Sequence, residues 1–85
     1  MQIQYGKKRR FPEEEWKAKL LAAKTGDKIL LKRLSRHESE FVRMAIFLNP
    51  NIQKHPEIIK NIAINDKLLV IRDTAIELLK KLKTL

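Results

Sequence analysis

The chain has 85 residues, 44% of them hydrophobic, which supports one small core and excludes a multidomain enzyme. It holds no cysteine, so disulfide scaffolds, thiolate zinc sites, iron–sulfur clusters and cysteine nucleophiles are all excluded. Nineteen Lys and Arg against ten Asp and Glu give a net charge of +9, a balance suited to polyanions or to acidic protein surfaces.

The chain opens on a basic arm. Residues 1–10 carry four positive charges, Lys7, Lys8, Arg9 and Arg10, with no hydrophobic periodicity, and 1–11 read as a flexible arm able to meet phosphates. Pro12 followed by Glu13, Glu14 and Glu15 then starts a helix. Proline fits the first helical position, and the three carboxylates meet the positive end of the helix dipole. Trp16, Leu20 and Ala23 share one face of it, and Thr25-Gly26 stops it near residue 24.

Asp27 is an N-cap for a second, short helix, with Leu30, Leu31 and Leu34 inward and Lys28, Lys32, Arg33 and Arg36 outward. Ser39 caps a third, running to about Leu48 on an apolar arc of Phe41, Val42, Ala45, Ile46 and Leu48. Asn49-Pro50-Asn51 ends it, because a residue before proline is pushed out of the α region. Pro56 restarts a fourth helix, Asn65-Asp66 breaks it, and Asp66 caps a fifth and longest one over 67 to about 83. No segment alternates apolar and polar residues over five positions, so the domain, residues 12–85, reads as all-α. Helices joined by such short turns form a compact bundle or a stack of helical hairpins.

An internal repeat favours the stack. Leu30-Leu31-Lys32-Arg33-Leu34-Ser35 matches Ile58-Ile59-Lys60-Asn61-Ile62-Ala63 at an offset of 28, and Val42-Arg43 matches Ile71-Arg72 at 29. The stretch from Val42-Arg43 through Asn49-Pro50-Asn51, Pro56-Glu57-Ile58-Ile59, Ile62-Ala63 and Asp66 to Ile71-Arg72 resembles HEAT-like helical repeats, most of all the leucine-rich repeat variant family. Gln53-Lys54-His55 lengthens the turn before Pro56, and His37 stands where the first unit of that pattern has its Asp. The resemblance implies a short right-handed α-solenoid of about five helices, two HEAT-like hairpins behind a leading helix. It also implies that the first helix of each hairpin lies on the convex side and the Val-Arg helix on the concave side.

Folds of this kind present surfaces rather than pockets, so the expected function is binding, with no enzyme activity, no cofactor and no metal. The histidines His37 and His55 lack the spacing of a metal site. No glycine-rich phosphate loop is present in a chain with only two glycines. Two partner classes stay open. Lys7, Lys8, Arg9, Arg10, Lys28, Lys32, Arg33 and Arg36 form a set of cations suited to nucleic-acid backbone without base readout. An acidic protein is the alternative, steered by the same charges and anchored by Phe47 beside Arg43, or by Leu69, Val70 and Ile76 on the last helix. That last face also reads as a docking surface for a second copy. Trp16 and Phe41 sit among aliphatic residues and are expected in the core.

Arg43 and Arg72 read as structural, because their stems fall beside apolar arcs; Asp66 is the nearby acceptor expected for Arg72. No apolar run approaches the roughly 20 residues of a membrane helix and no secretory leader is visible, so a cytoplasmic protein without membrane partners is expected.

Overall fold

The computed structural model describes residues 12–84, with side chains over 14–83. Five α-helices follow one another: α1 Pro12–Lys24, α2 Lys28–Leu34, α3 Glu40–Ala45, α4 Pro56–Asn65 and α5 Leu69–Thr84. Two 3-10 segments, Ile46–Leu48 and Pro50–Lys54, join α3 to α4, and no strand occurs among the described residues.

The starts of α2, α3 and α4 have local causes. The Asp27 carboxylate accepts from the Ile29 and Leu30 N–H groups at 2.9 and 3.3 Å, satisfying donors that the first turn of α2 leaves open. The Ser39 hydroxyl oxygen does the same for Phe41 and Val42 at 3.2 and 3.4 Å, opening α3. Helix α4 has no side-chain cap and begins with Pro56, whose missing N–H would be unpaired in any case. Helix three is shorter than the sequence suggests: α3 tightens into 3-10 geometry at Ile46. Asn49 lies outside it, in an extended conformation set by the following proline. The long turn expected before Pro56 is likewise folded, as the second 3-10 segment.

Helix α1 packs on α3, and α4 packs on α5. The shared core is rich in isoleucine, with Leu31, Val42, Ile46, Ile52, Ile59 and Ile71 fully buried. Asn49 sits among them at 1% exposure. Its side-chain amide donates to the carbonyls of Ala22 and Thr25 at 2.9 and 2.8 Å, and its side-chain oxygen accepts from Asn51 N–H at 2.8 Å. One residue thus closes the end of α1 and shapes the turn after α3, a role beyond that of a helix stop. No helix among the described residues is long and apolar enough to cross a membrane.

Candidate polyanion-binding groove

Two turns, at 37–38 and at 66–68, position the candidate site. Arg43 Nη1 donates to the carbonyl of His37 at 2.8 Å, six residues back, and Arg72 Nη1 donates to the carbonyl of Asp66 at 2.6 Å, also six back. Ser39 N–H donates to His37 Nδ1 at 3.0 Å, and Leu68 N–H to Asp66 Oδ1 at 2.9 Å. Both bonds recur at an offset of 29, with His37 filling the acceptor role that Asp66 fills in the second turn. The Asp66 carboxylate, however, belongs to Arg43. Arg43 Nε and Nη2 reach its two oxygens at 2.8 and 3.3 Å, and both side chains are buried. The expected Asp66–Arg72 contact is therefore made through the backbone carbonyl, while the carboxylate links α3 to the turn between α4 and α5.

The basic row on α2 borders a groove shared with α4. Lys32, Ser35 and Arg36 face Glu57, Ile58 and Asn61 across a cleft of about 240 Å³. It adjoins a wider cleft of about 420 Å³ in which Arg36 and Asn61 meet Asn65, Lys67 and the turn residues His37 and Glu38. Asn61 and Asn65 are one helical turn apart, so α4 presents both amides on one side. The α2 row is not uniform. Lys28 is held by Glu57 at 2.6 Å, while Lys32, Arg33 and Arg36 are exposed. The Glu57 carboxyl is pulled below its usual range, first by the hydrogen bond from Lys28 and then by its own backbone N–H.

Two of the acids at the groove are thus matched by cations from the same chain, Glu57 by Lys28 and Asp66 by Arg43. What the groove offers a ligand is mainly donors: Lys32 on α2, Arg36 in the turn after it, Lys67 and two amides, with the Glu38 carboxylate also lining the wider cleft. Such a set suits phosphate oxygens. Sequence reasoning missed Asn61, Asn65 and Lys67; the four-residue spacing of the asparagines was the available signal. Lys7, Lys8, Arg9 and Arg10 lie outside the described residues.

A second surface feature corrects an expectation. Trp16 and Phe41 are not core residues: they are 58% and 59% exposed. With Leu20, Met44 and Leu48 they line an open apolar cleft of about 440 Å³ between α1 and α3, and Lys19 Nζ lies 5.8 Å from the Phe41 ring centre. Leu48, expected in the inward arc of the third helix, is exposed as well. The reason is geometric: the Val42 and Ile46 face meets the core, and the other apolar stripe of α3 meets only α1 and solvent. Phe47 is half-buried and packs against the core, whereas Leu69, Val70 and Ile76 on α5 are exposed. No cluster of three metal-ligating side chains occurs among the described residues.

No family model matches the chain, and no match was found among the curated proteins or the solved structures.

Proposed function

We propose that the chain is a non-catalytic helical-repeat module that binds polyanions, nucleic-acid backbone above all, without reading sequence. The observation that carries this reading is the α2–α4 groove, where Lys32, Arg36 and Lys67 gather beside two amides while Glu57 and Asp66 are already paired. The net charge of +9 adds long-range attraction for a phosphate chain. The fold on which this rests is a short α-solenoid, similar to HEAT-like repeats. The turn bonds that recur at an offset of 29 support it, as does the Arg43–Asp66 pair joining one hairpin to the next.

The test is a comparison of two triple variants of equal charge. Lys32→Gln, Arg36→Gln and Lys67→Gln together empty the groove of cations, while Lys17→Gln, Lys24→Gln and Lys80→Gln remove as many from elsewhere. Loss of oligonucleotide binding confined to the first supports the groove; equal loss in both reduces the effect to net charge.

The alternative reading is a protein adaptor that docks an acidic partner. The cleft formed by Trp16, Leu20, Phe41, Met44 and Leu48 favours it, because exposed aromatic and Met side chains beside Lys19 are the usual anchors of a protein interface. Substitution of Phe41 with Ser, leaving oligonucleotide binding intact but abolishing capture of an acidic amphipathic helix, would select this reading.

A further inference from the structure

Helix α5 buries Ile71 and Ala75, and on another side it carries Leu69, Arg72, Asp73 and Ile76. These four follow the i, i+3, i+4, i+7 spacing of a single helical stripe. Leu69 is 62% and Ile76 39% exposed, and Asp73 is exposed with no partner among the described residues. Arg72 is half-buried and half-used. Its Nη1 is taken by the Asp66 carbonyl, as Arg43 Nη1 is taken by that of His37. Arg43, though, also spends its other edge on the Asp66 carboxylate, whereas the same edge of Arg72 meets no carboxylate among the described residues.

We propose that this stripe is the interface of a two-fold symmetric homodimer, in which α5 packs antiparallel on α5 of a second copy with the axis between positions 72 and 73. In that register Leu69 faces the partner's Ile76 and Arg72 faces the partner's Asp73, and symmetry repeats both contacts. The patch is self-complementary, as an isologous interface must be. Two other arrangements fail on charge. A parallel pair sets Arg72 against its own equivalent, and an antiparallel pair centred on Ile76 sets Arg72 against Lys80. The carboxylate supplied by the second copy completes for Arg72 the arrangement that Asp66 completes for Arg43. With an apolar centre of only two side chains per copy, the dimer belongs to the small, weak class of interfaces.

Sedimentation velocity over a concentration series tests this, with disulfide trapping to fix the register. The expected result is a species of twice the monomer mass at high micromolar concentration that dissociates on dilution. Asp73→Arg puts like charges together twice and raises the dimer Kd by roughly tenfold or more, with helical content unchanged. Lys60→Glu, on α4, leaves the dimer intact. The chain has no cysteine, so the Leu69→Cys, Ile76→Cys double variant forms a covalent dimer on oxidation that neither single variant accumulates. Monomer mass throughout the series overturns the proposal, and so does a dimer that tolerates Asp73→Arg and does not cross-link.

Discussion

Arg43 Nε lies 2.8 Å from Asp66 Oδ2, and the two side chains are only 5% and 2% exposed. They lie 23 residues apart in sequence, so the pair holds α3 to the turn that starts α5. A buried charge that loses its partner keeps its desolvation penalty. Asp66→Ala is therefore expected to cost about 3 to 5 kcal/mol, read as the shift in urea unfolding free energy. Replacing both residues at once, as Arg43→Met with Asp66→Leu, costs much less, because no unpaired charge is left behind. Equal losses in the single and double variants would show that the hydrogen bond from Leu68 N–H to the Asp66 carboxylate, lost in both, rather than an unpaired charge, carries the effect.

Asn49 is the second hinge of stability. Its amide satisfies two carbonyls at the end of α1 from a buried position. Asn49→Ala leaves those carbonyls without their donor and costs about 1 to 3 kcal/mol in chemical denaturation. Asn49→Asp is no rescue, since a carboxylate cannot donate to them.

Exposed and buried apolar residues give opposite expectations. Phe41→Ala and Trp16→Ala remove side chains that are mostly in water, and each lowers stability by about 1 kcal/mol or less. Ile59→Ala, at a fully buried position, costs about 2 to 5 kcal/mol. Thermal unfolding distinguishes these directly. Fluorescence of Trp16, the only tryptophan, should also be strongly quenched by a soluble quencher in the folded protein.

Glu57 withholds Lys28 from the groove. Because the carboxyl is held below its usual range, the stabilisation from the pair is present above the ordinary carboxylate pKa and is lost as pH falls through the lowered one. The pair is thus intact at neutral pH, and acid releases it. Glu57→Gln does the same at neutral pH, with little change in stability because the pair is exposed. Oligonucleotide affinity should rise by roughly two- to tenfold at low salt, with a steeper salt dependence, as Lys28 joins the groove. Unchanged affinity would place Lys28 outside the binding surface.

Four helix starts were legible because each rests on local chemistry, Asp27 and Ser39 as caps and Pro12 and Pro56 at first positions, whereas α5 starts at Leu69, two residues after the expected 67. The offset of 29 was legible too, and the turn bonds of His37 and Asp66 obey it. What the sequence could not give was the choice between two apolar stripes on one short helix. Over α3 and the 3-10 segment that continues it, both Val42-Ile46 and Phe41-Met44-Leu48 are apolar, and only the positions of α1 and α4 decide which is covered. That is why the sequence pattern puts Trp16 and Phe41 in the core and does not reveal the cleft between them. The sequence pairs Asp66 with Arg72, its neighbour, because periodicity shows which positions are equivalent and not which side chains meet between helices distant in sequence. The groove was half legible: the cations of α2 stood out by charge, while Asn61 and Asn65 look like any polar pair until α4 turns them toward Arg36.

The most direct test of the polyanion reading is fluorescence anisotropy of labelled single- and double-stranded oligonucleotides titrated with the protein at about 50 and 200 mM salt. With Lys32, Arg36 and Lys67 on phosphates, log affinity should fall against log salt with a slope of about −2 to −3, alike for unrelated sequences. Absence of binding at the lower salt, or binding indifferent to salt, would contradict it and turn attention to the Trp16–Phe41 cleft as the functional surface.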